Sequence, residues 1–268
     1  MIDPASLTPV LASLVLAGQT FTPQSAELER SIERTPGVVS EQTAWRFEVQ
    51  PGDAWKGDQR NPAWRAELSG AKIYPYDQDV WFAFDQTLVV EGKFDAWQLI
   101  VGQFHQTRGP GPAPLVLSWN RGSMEVGAAH GDGVAPPIYE KLAVLPDWPL
   151  RTEHHIVGRF RPGLAGAGSV SLWVDGRQVV DATGLTIGYA GDPGVYFKFG
   201  AYEKPPTATQ RVVVTYRNVQ VSTESLIDLV AARPAPEEAP PAFDHRREHR
   251  RRWKKDRRDF DDHSARGD

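Results

Sequence analysis

The sequence predicts an all-β protein of the sandwich or jelly-roll type, and three observations support this prediction. From Thr43 onward the chain consists of short runs in which apolar and polar residues alternate, which is the pattern of strands. The 24 glycines and 22 prolines suit the many turns of such a fold. Helical segments do not alternate with the strands, and no repeat of about 20 to 50 residues is present, so neither an α/β fold nor a solenoid is expected.

Eleven strands are predicted in the central part of the chain. Their ranges are 44–49, 63–68, 80–90, 97–105, 114–119, 123–128, 154–160, 170–174, 178–181, 195–202 and 211–222. The pair Asp175-Gly176, between the eighth and ninth ranges, predicts a hairpin because both residue types accept the positive φ angles of a two-residue turn. The β domain is therefore placed at residues 43–222.

The two ends of the chain differ from this domain. Residues 1–42 are predicted to be an N-terminal extension, with a short surface helix over 24–35 because these residues are helix-forming and of mixed charge. The apolar run 7–18 is shorter than the roughly 20 residues of a membrane span. No Lys or Arg precedes Arg30, so no convincing signal peptide is expected. Residues 223–241 are predicted to form a short helix and a proline-rich linker, and residues 242–268 a disordered charged tail.

Composition excludes several classes of chemistry. The chain of 268 residues has no cysteine, so it has neither disulfides nor a thiol nucleophile. The net charge of −4 is the sum of an acidic body and a basic tail: residues 1–231 hold 19 Lys and Arg against 25 Asp and Glu, and residues 232–268 hold 11 against 9. Nucleic acid and membrane partners are not expected, although the tail can bind an acidic protein partner or an assembly. Esterase, nucleotide-binding and zinc-protease motifs are absent, and no metal site is predicted.

Two strand segments place polar side chains at alternate positions. In the segment WRAEL, Arg65 and Glu67 share one face of the strand. In WQLIVGQFH, alternation predicts that Gln103 and His105 share a face with Val101. Each pattern alone is common on solvent-exposed strands, where it has only a structural meaning.

A third segment, YFKFGAY, has the same property. Tyr196, Lys198 and Tyr202 line one face, and Phe197 and Phe199 line the other. One face of this strand is therefore predicted to belong to the core, and the other to be aromatic and cationic.

Taken together, the segments RAEL, QFH and YFKFGAY resemble the jelly-roll polysaccharide lyases, a group that includes alginate, glucuronan and heparin-lyase-I-like enzymes. The resemblance covers residues 43–222 and is greatest to the heparin-lyase-like and glucuronan-lyase-like branch. It implies a concanavalin-like β-sandwich that cleaves a uronic-acid-containing polysaccharide by β-elimination. It implies no cofactor, although a structural calcium ion is compatible with the fold.

The resemblance also implies roles for seven residues. The catalytic residues are Gln103, His105 and Tyr202, and the substrate-binding residues are Arg65, Glu67, Tyr196 and Lys198. Within the second group, Glu67 is expected to orient Arg65 rather than to act on the substrate.

The implied roles match the needs of β-elimination. The C5 proton of a uronate becomes acidic when its carboxylate is neutralised, and Gln103 and Arg65 can supply that interaction. His105 is the base in an anti elimination, whereas Tyr202 is both base and acid in a syn elimination. Lys198, on the same face as Tyr202, is expected to lower the pKa of the phenol.

Other interpretations remain open. The same fold serves non-catalytic carbohydrate binding, for example in a virion or tail-associated protein that attaches to a surface glycan, and a structural assembly role for the basic tail is a third hypothesis. The expected location is accordingly extracellular or virion-associated. Glu203 is expected to bring a negative charge close to the path of an anionic substrate. Trp55, Trp119 and Trp148 are candidates for loop aromatics that stack on sugars.

Overall fold

A computed structural model describes residues 14–16, 18–36, 43–58, 63–109, 111–204 and 210–232. The strands are β1 (Leu14–Leu16), β2 (Gln19–Ser25), β3 (Ile32–Pro36), β4 (Thr43–Val49), β5 (Trp64–Gly70), β6 (Val80–Glu91), β7 (Gln98–Gln106), β8 (Leu115–Asn120), β9 (Ser123–Gly131), β10 (Ile138–Leu145), β11 (Glu153–Arg161), β12 (Gly163–Val174), β13 (Arg177–Tyr189), β14 (Val195–Lys204) and β15 (Arg211–Ser222). Two 3₁₀ helices span Lys56–Asp58 and Ile227–Ala232.

The strands form two sheets that pack on each other. The front sheet has the order β1-β2-β5-β14-β7-β8-β9, with β10 paired to β9, and the back sheet has the order β12-β11-β6-β15-β4-β3. Strand β13 connects the sheets, because it pairs antiparallel with β12 and its end pairs parallel with β9. This arrangement confirms the predicted all-β jelly-roll sandwich.

Aromatic side chains from both sheets fill the space between them. On β14, Phe197 and Phe199 point into this core, which is why they alternate with polar residues in the sequence. The ring of Phe82, from the back sheet, lies 5.5 Å from that of Phe104 in the front sheet. Such edge and offset contacts are the favourable geometries for aromatic pairs. One face of the front sheet is therefore covered by the core, and its opposite face points outward.

All eleven predicted strands are present, and β12 and β13 exceed their predicted ranges the most. Asp175 and Gly176 have φ angles of +50° and +78°, so the hairpin prediction is confirmed. The 3₁₀ helix Ile227–Ala232 lies in the segment that was predicted to be helical. The predicted linker beyond residue 232 and the charged tail lie outside the described residues. Within the described part of the chain, no helix has the length and apolar character needed to cross a membrane.

The helix predicted over residues 24–35 is wrong, because β2 and β3 occupy most of this range. Strand β2 pairs with β5, and β3 pairs with β4. Phe21 of β2 is buried against Phe199, so tertiary packing outweighs the local preference for a helix. Pro23 obscures the strand pattern, and it lies beyond the described pairs of β2 with β1, which run from Gln19 to Phe21.

Strand β7 departs from simple alternation. Its register shifts between Ile100 and Gly102 against β8, and a second shift occurs against β14. Val101 consequently lies in the core together with Phe104. The prediction that Val101 shares a face with Gln103 was therefore wrong, because a bulge inserts one extra residue into the alternation.

Candidate active site

The predicted site residues lie on one surface, the outer face of three neighbouring strands of the front sheet. These strands are β5, β14 and β7, in that order. The cross-strand pairs on this face are Arg65 with Tyr202, Gln103 with Lys198, and His105 with Tyr196. The topology thus brings together all three motifs, although about 100 residues separate the second from the third.

Glu67 is the centre of the polar network on this face. Its Oε2 lies 2.8 Å from Lys198 Nζ and 3.2 Å from Arg65 Nη1, and its Oε1 accepts a 2.7 Å hydrogen bond from Gln103 Nε2. Burial alone would raise the pKa of Glu67, but the charges of Lys198 and Arg65 outweigh it and hold the pKa below its ordinary value. Glu67 and Lys198 are 1% and 2% exposed, so they support the site from beneath and do not line it.

Arg65 is fixed by partners on three sides. It donates from Nε and Nη2 to the two oxygens of Asp58, at 2.9 and 2.7 Å, and from Nη1 to Gln24 at 3.0 Å. Its guanidinium carbon lies 4.1 Å from the centroid of the Tyr202 ring. Sequence reasoning missed Asp58 and Gln24: Asp58 ends a three-residue 3₁₀ helix, which is too short to show periodicity, and Gln24 lies in the strand that contains Pro23.

Tyr202 is buried except for a small part of its surface, with 8% exposed. Burial raises the pKa of its phenol, and the charge of Arg65 offsets this only in part. The expectation that Lys198 lowers this pKa is wrong, because Lys198 is paired with Glu67 and the cation on the Tyr202 ring is Arg65. Tyr202 is therefore a protonated phenol at neutral pH.

His105 is half-buried and has a defined tautomer. When neutral, it donates Nδ1–H to the carbonyl oxygen of Gln106 at 2.8 Å, and its ring lies 5.5 Å from that of Tyr196. Burial lowers the pKa of His105, and the charges of Lys198 and Arg65 add to this, while the contact with Gln106 and the charge of Glu67 offset it only in part. The imidazole is therefore neutral at pH 7 and keeps a lone pair on Nε2.

Two concavities adjoin the two ends of β7. A cavity of about 170 Å³ is lined by Gln98, Ile100, Pro112, Ala113, Val116 and Tyr139. Ile100, Ala113 and Val116 belong to the same buried apolar cluster as Tyr202, so this cavity adjoins the site. A second cavity of about 200 Å³ includes Arg108 and Tyr189 in its lining, just past the end of the strand that carries His105. The two cavities therefore lie beyond opposite ends of the row of site residues on β7.

Glu203 does not contribute to the outer face. It follows Tyr202 on β14 and so points to the opposite side of the sheet, where it is fully buried. Burial raises the pKa of Glu203 to about 7. The expectation of a negative charge beside the substrate path is therefore wrong.

Most of the tryptophans predicted for loops belong to the core. Trp119 and Trp148 are buried, so the expectation that they are presented to sugars is wrong. Trp55 is half-buried, and its ring lies 5.3 Å from the Arg65 guanidinium. Trp97, at the start of β7, is 73% exposed and was not singled out from the sequence.

The described residues show no cluster of three or more His, Asp or Glu side chains that could hold a metal ion. No cluster of this kind supports, among the described residues, the structural calcium ion that the family resemblance allows.

Comparison with known structures supports the architecture. The endo-β-1,4-glucuronan lyase of the fungus Trichoderma reesei superposes with a TM-score of 0.59 at 16% identity, over 74% of this chain and 89% of that one. Alginate lyase A1-II′, a member of polysaccharide lyase family 7, gives a TM-score of 0.51 at 13% identity, over 73% and 84% of the two chains. Both likenesses concern the fold.

Sequence comparisons give the family. No protein of curated function matches the chain significantly. The family model described as polysaccharide lyase matches residues 19–219, which is most of the chain and includes every residue of the site described above. The chain therefore belongs to the polysaccharide lyase family.

Proposed function

We propose that this protein cleaves a uronic-acid-containing polysaccharide by β-elimination on the outer face of the front sheet. The observation that carries the proposal is the state of two side chains on that face. His105 is a neutral imidazole whose Nδ1–H is fixed on a carbonyl, and Tyr202 is a protonated phenol. A base and an acid in these states are what an elimination at neutral pH requires.

Gln103 and Arg65 neutralise the carboxylate of the substrate. One N–H of the Gln103 amide is engaged by Glu67, which leaves the other to point at a carboxylate. Arg65 has most of its N–H groups on Asp58, Gln24 and Glu67, so it acts chiefly through its positive charge. Such fixed donors and charges stabilise the carbanion-like transition state, because they need no reorganisation as charge develops.

The proton transfers follow from this arrangement. Nε2 of His105 removes the C5 proton, the electron pair of the C5–H bond forms the C4–C5 double bond, and the C4–O4 bond breaks. The departing O4 takes the phenolic proton of Tyr202. After product release, solvent returns His105 and Tyr202 to their starting states. With His105 as the base and Tyr202 as the acid, the reaction is an anti elimination. A syn elimination needs an ionised Tyr202, which burial opposes.

The substrate class follows from charge. Arg65, Lys198 and Lys204 lie on or beneath this face of β5 and β14, against the carboxylates of Asp58 and Glu67. An anionic polymer found outside the cell is a suitable substrate for an extracellular or virion-associated protein. Residues 242–268 are then a segment that binds an acidic partner. Glucuronan and alginate, named for the two structural neighbours, are the first polymers to test.

The direct experiment incubates the purified chain with glucuronan, alginate, heparin and hyaluronan, and records the ultraviolet absorbance of unsaturated uronate. We expect product with at least one polymer. We expect a loss of about 10³-fold or more in rate for His105→Ala and for Tyr202→Phe, because each removes a proton-transfer group. His130→Ala, at a half-buried histidine of β9, is the matched control and should keep the wild-type rate.

Two outcomes would contradict the proposal. One is the absence of unsaturated product with every polymer, and the other is a rate that His105→Ala and Tyr202→Phe leave unchanged. Retained polymer binding without product would instead support the non-catalytic glycan-binding role.

A further inference from the structure

The two halves of the active site are separated by the bulge between β7 and β14. Phe199 pairs with Gly102, whereas Tyr202 pairs with Ile100, so two residues of β14 oppose one residue of β7. Gln103 and His105 lie on one side of this irregularity, and Tyr202 lies on the other. The bulge therefore sets the distance along the groove between the proposed base and the proposed acid.

The bulge leaves backbone carbonyl groups without their strand partners in the core. A hydroxyl group from the opposite sheet satisfies them: Tyr216 of β15 donates its proton to the carbonyl oxygens of Val101 and Gly200, the latter at 3.0 Å. The hydroxyl oxygen in turn accepts a 3.0 Å hydrogen bond from Gln86 Nε2. Tyr216 and Gln86 are both buried, so water cannot replace these bonds.

The local backbone depends on this support. Gly200 has a φ angle of +142°, and a Cβ atom there would lie 2.3 Å from the carbonyl oxygen of Ala66. Three aromatic rings hold the Tyr216 ring in place, with centroids 5.1 to 5.5 Å away. A hydroxyl group at a fixed position is thus directed at the irregular segment.

We propose that Tyr216, supported by Gln86, is a positioning residue for the elimination, an inference that rests on the proposed function. It touches no substrate; its hydroxyl keeps the bulge in place and so keeps Tyr202 in register with His105. Without the hydroxyl group, regular pairing of β14 with β7 becomes more favourable than the bulge. Such a change shifts the register by one residue, which moves a side chain to the other face of the sheet. An error of about 1 Å in a catalytic group costs on the order of 10²-fold in rate.

The test compares Tyr216→Phe with Tyr74→Phe in the full chain. Tyr74 is an equally buried core tyrosine whose hydroxyl accepts from Gln19, away from the bulge. Each variant is measured for kcat and KM on the polymer that the wild type cleaves, for urea unfolding, and for amide hydrogen exchange at residues 100–103 and 200–203. We expect Tyr216→Phe to lower kcat by about 10- to 100-fold with KM within about twofold, and to accelerate exchange at these amides. We expect Tyr74→Phe to keep kcat and the exchange rates.

Gln86→Leu provides a second variant if Tyr216→Phe does not fold. It removes the donor to the hydroxyl oxygen and should lower kcat in the same direction by a smaller factor. Equal kcat values for the Tyr216→Phe and Tyr74→Phe proteins, while His105→Ala remains inactive, would overturn this inference and leave the proposed function standing. An inactive wild type would overturn the proposed function and the inference with it.

Discussion

The same short pattern, Arg-x-Glu on a strand, occurs once in each sheet and has two different meanings. On β4 of the back sheet it is Arg46-Phe47-Glu48, and on β5 of the front sheet it is Arg65-Ala66-Glu67. Both glutamates are almost completely buried, and both are held by cations. The surroundings of the two pairs, and not the pairs themselves, separate a structural cluster from a candidate active site.

Around Glu48 every polar partner is an arginine or an amide. Arg211 donates from Nε and Nη2 at 2.8 and 2.9 Å, Arg46 and Gln50 donate as well, and Arg30 lies 3.8 Å away. The hydrogen bonds from Arg211, partly opposed by burial, lower the pKa of Glu48 to about 2. No group that exchanges a proton near neutral pH takes part in these contacts, so the cluster can stabilise the fold but has nothing to offer a reaction.

The cations that bind Glu67 also lie close to groups that can transfer a proton. Arg65 lies against the Tyr202 ring, and the charges of Arg65 and Lys198 also act on His105. A buried carboxylate here fixes two cations, and their charges add to burial in lowering the pKa of a nearby imidazole. An Arg-x-Glu pattern therefore predicts a site only when a titratable residue lies on the same face of a neighbouring strand.

The largest effect expected from this comparison is that of Glu67→Gln. The change leaves the Lys198 ammonium buried without its counter-ion, and the loss of one partner of a buried pair costs about 3–5 kcal/mol of unfolding free energy. Urea unfolding at pH 7 measures it, and the lyase assay should show a matching loss of activity. A cost below about 1 kcal/mol would show that Lys198 does not depend on Glu67.

The next effect concerns the two arginines. Arg65→Lys loses the two-point contact with Asp58 and the planar group against Tyr202, so we expect kcat to fall by about 10²-fold. Arg46→Lys makes the same change on β4 and should leave kcat unaltered. Equal kcat values for the two variants would remove the distinction between the two patterns.

A smaller effect is expected in the acid stability of the back sheet. The pKa of Glu48 is about 2 in the folded chain against an ordinary 4.5, so its contribution is complete above about pH 4.5 and disappears as the pH falls through about 2. Because its arginine partners are partly exposed, we expect roughly 1–2 kcal/mol. Thermal unfolding between pH 6 and pH 2 checks this: wild type should lose more stability over the range than Glu48→Gln does.

The smallest effect is a displacement of the pH–rate curve. His105 acts as a base only when neutral, and its pKa is lowered, so the rising limb of kcat/KM should lie below pH 6.5. Arg65→Gln removes one of the charges that lower this pKa and should move the limb to a slightly higher pH. Arg46→Gln should leave it in place. A limb that Arg65→Gln does not move would contradict a contribution of the Arg65 charge to the pKa of His105.

The sequence alone predicted the correct face for side chains on strands in which apolar and polar residues alternate regularly. Arg65 and Glu67 on β5, and Tyr196, Lys198 and Tyr202 on β14, lie on the face that a period of two predicts. It was insufficient at β7, because a bulge leaves no mark in the pattern of apolar and polar residues. The family motifs still predicted that Gln103 and His105 share a face with the other site residues. Val101, which was expected on the same face, lies in the core instead.

Other parts of the structure depend on contacts that no local pattern encodes. Strand β10 was missed because it pairs only with β9 and its first residues, Ile138 to Lys141, are exposed without alternation. The position of Asp58 beside Arg65 depends on how a loop folds back onto β5. The pKa direction of Tyr202 depends on burial, which neighbouring residues in the sequence do not reveal.

The crossing from β2 to β3 has a consequence for expression and folding. These two strands cover the outer edges of β5 and β4, and between them Arg30 reaches Asp53 while Gln24 reaches Arg65. A chain that began at Thr43 would expose two rows of unpaired backbone N–H and C=O groups, the feature by which sheets join edge to edge and aggregate. Strands β2 and β3 thus cover edges that would otherwise favour self-association, and β2 also supplies a partner for Arg65.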